Sequence, residues 1–136
     1  MTEAEVSRQI QLAASKLGCR LFRNTVGVLP DGHGRMIRFG LAVGSSDLIG
    51  FAMRGEVAIF LAVEVKSKTG RIRSLQQEFL EAVRRAGGIA ILARSVDDFT
   101  AALAAWEQAH GHGRSTHTRR HCGGDRESDS SDSTGA

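Results

Sequence analysis

Two carboxylates and one lysine lie where they could share a chemical task. Glu64 and Lys66 are two residues apart in the apolar segment 57–66, so on a strand their side chains face the same way. Asp47 follows a Gly-Ser-Ser turn and opens the apolar run 48–51, which can lie beside that strand. Converging carboxylates repel each other unless a cation lies between them. The three residues predict an oxygen-rich cation site, and such oxygen ligands favour Mg²⁺ or Mn²⁺.

Each part of this site also has a simpler interpretation. A glutamate and a lysine two residues apart form a common tripeptide, which at a strand end can be a structural ion pair. An aspartate after glycine and serine is ordinary turn chemistry. Only the combination of Asp47 with Glu64 and Lys66 favours a functional site.

Composition limits the classes of protein that the sequence can encode. The chain has 136 residues, of which 41% are hydrophobic and 24% charged, as expected for one globular domain. Cys19 and Cys122 are too far apart to indicate a disulfide framework or a zinc ribbon. The chain begins without the pattern of a secretory signal, and its longest apolar run, 57–63, is too short to span a bilayer. We therefore expect a cytoplasmic protein without a membrane segment.

The balance of charges is mildly basic. Residues 1–107 hold 14 Lys/Arg and 11 Asp/Glu, so the whole excess of three positive charges lies there. From residue 109 onward the chain is rich in His, Arg, Ser and Asp and has hardly an apolar residue. We expect a folded domain over residues 1–108 and a disordered tail over residues 109–136, because such a tail cannot bury a core.

The elements that position the site are indicated by apolar spacing. Val6, Ile10 and Ala14 mark a helix over residues 2–17, and alternation around Pro30-Asp31-Gly32 predicts two antiparallel strands within residues 20–43. The rest of the pattern predicts strands at 48–51 and 57–66, a helix from 74, a strand at 89–93 and a last helix from 95. The predicted order is α-β-β-β-β-α-β-α.

Two capping boxes divide the roles of neighbouring residues at the helix starts. Thr2 with Glu5 and Ser74 with Gln77 have the spacing of a capping box, in which the third helical residue bonds back to the cap. This assignment leaves Glu3 without a structural role. Because Glu3 continues the apolar stripe of its helix, we expect it to face the body of the domain.

The order of short motifs resembles the VRR-NUC family of the PD-(D/E)XK nuclease superfamily over nearly all of residues 1–107. The resemblance implies a restriction-endonuclease-like α/β core, a mixed β-sheet flanked by helices. It also implies a metal-dependent DNA endonuclease, and short members resemble homodimers that cut branched DNA such as four-way (Holliday) junctions. This sequence has Ser46 where many relatives have proline. The motifs are Arg35-x-x-Arg38-Phe39-Gly40, Gly44-Ser45-Ser46-Asp47-Leu48-Ile49-Gly50, Val63-Glu64-Val65-Lys66, Gly70-Arg71, Gln76 and Gly87-Gly88.

The resemblance also implies roles for individual residues. Asp47, Glu64 and the main-chain carbonyl of Val65 would bind Mg²⁺ or Mn²⁺, and Lys66 would orient or help deprotonate the attacking water. Glu64-Val65-Lys66 forms the E-x-K motif. The family places a glutamate on the first helix and a glutamine on the helix after this motif, and the capping boxes select Glu3 and Gln76 for these positions. The candidates for phosphate contacts are Arg23, Asn24, Arg35, Arg38, Lys68, Arg71 and Arg73.

A non-catalytic nucleic-acid-binding module with a nuclease-like fold is the alternative. A module that only binds has no need of converging carboxylates, which repel phosphate. The acidic site therefore favours the enzyme over the binding module.

Overall fold

Three helices and six strands make up the described part of the chain, residues 1–111. The computed structural model describes residues 1–111, and the predicted disorder of residues 109–136 falls, apart from its first three residues, outside this part of the chain. No helix within residues 1–111 is long and apolar enough to cross a membrane. The elements are α1 (Glu3–Lys16), β1 (Cys19–Arg23), β2 (Gly27–Pro30), β3 (Met36–Phe39), β4 (Leu48–Arg54), β5 (Val57–Val65), α2 (Ser74–Arg85), β6 (Ile89–Ala93) and α3 (Val96–Ala109).

The main sheet has four strands in the order β1-β4-β5-β6. β4 pairs antiparallel with both β1 and β5, and β5 pairs parallel with β6. α2 connects the two parallel strands, as a parallel pair requires a long crossover. The predicted mixed sheet flanked by helices is confirmed.

The predicted order has one strand too few before α2. The chain leaves the main sheet after Arg23, and β2 and β3 form a separate two-stranded sheet. The predicted antiparallel pair around Pro30-Asp31-Gly32 is this hairpin, whereas β1 pairs with β4. Alternating apolar residues run through β1 and β2 alike, so the pattern does not show where one strand ends and the next begins.

The two faces of the sheet are covered by different helices. Odd-numbered residues of β5 face α1 and α3, and even-numbered residues face α2, as the alternation predicted. Glu64 therefore emerges on the α2 side. On the first face, β5 packs against apolar side chains of α1 and α3; this cluster includes Leu61, Val63 and Val65 of β5, Val6, Ile10 and Ala14 of α1, and Phe99 and Leu103 of α3. On the second face, Ala62 of β5 packs against Leu80 and Val83 of α2.

The start of α1 has the predicted capping box. The Glu5 N–H donates to Thr2 Oγ1 at 3.2 Å, and the Thr2 N–H donates to Glu5 Oε2 at 2.6 Å. The hydrogen bond from the Thr2 backbone lowers the pKa of Glu5 below its usual value. This cap fixes where α1 begins and therefore where Glu3 lies in its first turn.

Candidate active site

Asp47 and Glu64 meet at one end of two neighbouring strands. Leu48 pairs with Val63, so Asp47, which immediately precedes β4, lies beside the end of β5 that carries Glu64. The Val65 N–H donates to Asp47 Oδ2 at 3.0 Å. This hydrogen bond fastens the aspartate to the strand that carries the E-x-K motif, so the structure brings the two carboxylates together.

Glu64 is a buried carboxylate with only one of its oxygens engaged. Its side chain is 1% exposed, and Oε1 accepts from Gln76 Nε2 at 2.8 Å and lies 3.2 Å from Lys66 Nζ. Oε2 is also buried and has no hydrogen-bond partner among the described residues. A structural Glu–Lys pair therefore exists, as the simpler interpretation of the sequence held, but it leaves one carboxylate oxygen free.

The surroundings of Glu64 oppose its ionisation. Desolvation by burial raises its pKa from 4.5 to about 7, and the neighbouring Asp47 carboxylate adds to the increase. The hydrogen bond and positive charge of Lys66 act in the opposite direction but do not cancel these effects. Near neutral pH this carboxylate pair therefore favours an additional proton or another cation.

Asn24 holds the turn that carries Asp47. Its Nδ2 donates to Ser45 Oγ at 2.7 Å and to the Ser46 carbonyl at 2.9 Å, while its Oδ1 accepts from the Leu41 N–H at 3.2 Å. Its backbone N–H donates to the Asp47 carbonyl at 2.8 Å. The side-chain amide proposed for a phosphate contact is thus already engaged within the protein, and sequence reasoning did not identify this positioning contact.

Close packing also ties this turn to α2. Gly44 has a φ of +88°, and a Cβ atom there would lie 2.7 Å from the Cβ of Leu75. Glycine supplies both the left-handed backbone and the space for this approach. Ser46 is buried, and its hydroxyl has no hydrogen-bond partner among the described residues. The contact with Leu75 places Asp47 close to the start of α2.

Gln76 serves the helix start and the site together. The N-cap of α2 is Arg73, and the Arg73 N–H donates to Gln76 Oε1 at 2.9 Å while Gln76 Nε2 bonds to Glu64. The predicted capping box of Ser74 with Gln77 is wrong by one residue, since Gln77 instead donates to Glu81 Oε1 at 3.0 Å. Arginine has no acceptor oxygen, so the spacing rule selected the serine that follows the cap.

Glu3 lies on the same side of the domain and also has a structural contact. Its Oε1 accepts from the Ser67 N–H at 2.9 Å, immediately after Lys66. The inference that Glu3 has no structural role is therefore wrong, although it does face the body of the domain as expected. With Asp47 and Gln76 it lines a cleft of about 980 Å³.

The six basic residues among the predicted phosphate contacts fall into three groups. Arg23 and Arg38 line the same cleft as Asp47, whereas Arg35 pairs with Asp31 at the hairpin turn, its Nε 3.3 Å from Asp31 Oδ2. The third group is exposed on the loop between β5 and α2 and consists of Lys68, Arg71 and Arg73. The structure therefore places Arg23 and Arg38 in the cleft that Asp47 lines and Arg35 at the hairpin turn.

The fold and the site define a mixed α/β domain with an acidic pair and a lysine at the end of neighbouring strands. The model of the VRR-NUC domain matches residues 5–97, more than half of the chain. The chain therefore belongs to the VRR-NUC family, as the motifs indicated, and this membership makes it a nuclease domain. The match includes Asp47, Glu64, Lys66 and Gln76 but begins after Glu3. No curated protein matches the chain.

Proposed function

We propose that this protein is an Mg²⁺- or Mn²⁺-dependent endodeoxyribonuclease with a PD-(D/E)XK core. The observation that carries the proposal is the unpaired Oε2 of Glu64, a buried carboxylate oxygen beside Asp47. A buried acceptor without a partner is costly, and a buried carboxylate that repels its neighbour is more so. A divalent cation bound to both carboxylates would remove both costs.

The residues present fit such a cation. The family resemblance implies a ligand set of two carboxylates and one main-chain carbonyl. Within residues 1–111, no three His, Cys, Asp or Glu side chains cluster as a metal site of another kind. The implied ligands are Asp47, Glu64 and the main chain of Val65. An all-oxygen set with few protein ligands suits Mg²⁺ or Mn²⁺, which keep several waters and accept phosphate oxygens. Zinc would favour nitrogen and sulfur ligands.

Each side chain then has a distinct task in phosphodiester hydrolysis. The bound cation would act as a Lewis acid that activates water and positions the phosphate. Lys66 and Gln76 both engage Glu64 Oε1, which leaves Oε2 available to the cation. The Lys66 ammonium orients or helps deprotonate the attacking water and offsets charge that develops on the phosphate. Glu3 holds the main chain that follows Lys66.

The proposed substrate is DNA, with a preference for branched forms such as four-way junctions. Arg23 and Arg38 line the same cleft as Asp47, so phosphates bound by these arginines would lie in the cleft that this carboxylate borders. Such contacts provide affinity without sequence preference. The preference for branched DNA rests on the family resemblance.

The exposed hairpin of β2 and β3 supports the further proposal of a homodimer. A two-stranded hairpin is marginally stable alone, and a large exposed apolar patch marks an interaction surface. Leu29 and Ile37, which pair across the hairpin, are 60% and 54% exposed. We expect light scattering to give twice the chain mass for the protein and for Leu12→Lys on α1, but a monomer for Leu29→Lys. A monomeric unmodified protein would refute the dimer.

Cleavage assays test the proposed activity directly. A labelled four-way junction, a flap and a plain duplex are incubated with the protein in Mg²⁺, in Mn²⁺ or in chelator. We expect metal-dependent cutting that Asp47→Asn and Glu64→Gln abolish, while Glu78→Gln, an exposed change on α2, keeps it. Cutting in excess chelator would refute the metal mechanism. Tight DNA binding without cleavage would instead support the non-catalytic module.

A further inference from the structure

The turn after the E-x-K motif is held by hydrogen bonds within the turn and by hydrogen bonds from other parts of the chain. Residues 67–70 follow Lys66 directly, and the Gly70 N–H donates to the carbonyl of Ser67 at 3.2 Å and to its Oγ at 3.0 Å. Lys68 within the turn is exposed. The position of this turn determines where the main chain leaves Lys66.

Arg94, which immediately follows β6, reaches across to this turn. Its Nη1 donates to the Ser67 carbonyl and, at 2.6 Å, to the Gly70 carbonyl. Its own backbone N–H donates to Asp98 Oδ2 at 2.9 Å, which anchors it at the start of α3. One guanidinium nitrogen therefore joins both ends of the turn to the strand beside β5.

Arg94 completes a set of contacts around Lys66. Glu3 accepts from the Ser67 N–H at 2.9 Å, so the two main-chain polar groups of Ser67 bond to oppositely charged side chains on different elements. The Lys66 N–H donates to the Ala93 carbonyl at 3.0 Å. The main chain on the C-terminal side of Lys66 is thereby fixed while its ammonium stays beside Glu64.

We propose that Arg94 is a positioning residue of the nuclease, which acts on Lys66 through the turn at residues 67–70. The inference rests on the proposed function. Arginine suits the task because it stays charged and its nitrogens each present fixed donors, whereas lysine has a mobile point charge that reproduces only part of the geometry. Arg94 touches neither the acidic pair nor the proposed cation ligands, so its loss should affect turnover more than DNA binding.

The kinetic test compares Arg94→Ala with a matched arginine. Arg84 also donates to a main-chain carbonyl, that of Ala90 at 3.1 Å, but from the far end of α2. In single-turnover cleavage with Mg²⁺ at saturating DNA, Arg94→Ala should lower the rate constant by about 10–100-fold, the usual loss from displaced supporting contacts. The Kd for DNA should stay within about twofold. Arg94→Lys should recover part of the rate, and Arg84→Ala should cut normally.

A second measurement does not depend on nuclease activity. Trypsin cuts after lysine, so cleavage after Lys68, followed by mass spectrometry on the folded protein, reports how firmly the turn is held. Arg94→Ala should speed this cleavage, while Arg84→Ala should leave it unchanged. If Arg94→Ala fails to fold, Arg94→Lys provides the same comparison with a smaller expected change.

The outcomes separate this proposal from the function on which it rests. Unchanged cleavage after Lys68, or a rate constant and a DNA affinity that fall by the same factor, would overturn the role of Arg94. A protein that cuts no DNA would refute the proposed nuclease, and with it any catalytic consequence, while proteolysis still shows whether Arg94 holds the turn.

Discussion

Replacing Glu64 with glutamine should stabilise the cation-free protein while it removes the proposed activity. The pKa of Glu64 is raised from 4.5 to about 7 by burial and by Asp47. Each pH unit between two pKa values corresponds to about 1.4 kcal/mol, so ionising this group in the folded protein costs about 3 kcal/mol. Glutamine cannot ionise and therefore does not carry this cost.

The sign of the pH dependence follows from the raised pKa. Below about pH 4.5 the carboxyl is protonated in both the folded and the unfolded chain, so it has no effect on stability. Between that pH and about 7 the unfolded chain loses the proton first, and the free energy of unfolding falls. Above about pH 7 the carboxyl is ionised in both the folded and the unfolded chain, and the folded protein carries the full cost of that ionisation. The advantage of the glutamine variant should therefore be largest at pH 8 and decline toward acid.

Glutamine can preserve the contacts that glutamate makes. Its oxygen can still accept from Gln76 and Lys66, as Oε1 does now. Its nitrogen replaces the unpaired Oε2 near the Asp47 carboxylate, an acceptor. If Asp47 accepts a hydrogen bond from that nitrogen, the net gain at pH 8 should approach about 3 kcal/mol. An unpaired nitrogen, which costs about 1–3 kcal/mol, would reduce the gain to about 0–2 kcal/mol.

Urea denaturation in chelator, at pH 8 and at pH 5, measures this difference. Glu78→Gln, which removes an exposed charge from α2, is the matched control and should change little at either pH. Saturating Mg²⁺ should then stabilise the unmodified protein, by about 2.7 kcal/mol at a hundredfold excess over its Kd, but not Glu64→Gln. A variant less stable than the unmodified protein at pH 8, or a gain independent of pH, would refute this reasoning.

Three further predictions concern the neighbouring residues. Lys66→Ala should reduce the rate constant of single-turnover cleavage by at least about 100-fold, while its DNA affinity, measured by fluorescence anisotropy, should stay within about twofold. Equal losses of rate constant and DNA affinity would indicate a binding role. Ser46→Ala should raise the free energy of unfolding by about 1 kcal/mol in urea melts, because it removes a buried unpaired hydroxyl; a decrease would mean that the hydroxyl has a partner. Glu5→Ala should lower the free energy of unfolding by about 0.5–2 kcal/mol and keep DNA cleavage, because it removes a helix cap. Gln77→Ala should change neither stability nor cleavage by much, whereas Gln76→Ala should lower both. A cleavage defect in Glu5→Ala or Gln77→Ala would contradict this division.

The sequence predicted the parts of the fold that depend on local periodicity. The stripe on α1, the alternating faces of β5 and the cap formed by Thr2 and Glu5 all appear as expected. The approach of Asp47 to Glu64 was also predictable. A turn that opens one strand and an acidic residue near the end of its antiparallel neighbour must lie close together once the two strands pair.

The sequence could not show contacts that join side chains to distant main-chain atoms. Asn24 bonds to residues 41, 45 and 46, and Arg94 bonds to residues 67 and 70. Neither contact requires a particular residue type at the partner position, because the partners are mostly backbone groups. The break between β1 and β2 was missed because alternating apolar residues run through both strands. The cap at Arg73 was missed because arginine lacks the acceptor oxygen that the capping pattern requires.

The stability cost of the acidic pair and its proposed affinity for a cation have one physical origin. Asp47 is kept beside Glu64 by the Val65 N–H and by the turn that Asn24 holds, so the two carboxylates cannot move apart to relieve their repulsion. Gln76 and Lys66 both contact one oxygen of Glu64, and the other oxygen stays buried and unpaired near the negative charge of Asp47. Folding energy from the surrounding contacts therefore maintains an arrangement that is unfavourable without a counter-charge. A divalent cation would recover that energy on binding, which is why the substitution that stabilises the cation-free protein should also abolish its response to Mg²⁺.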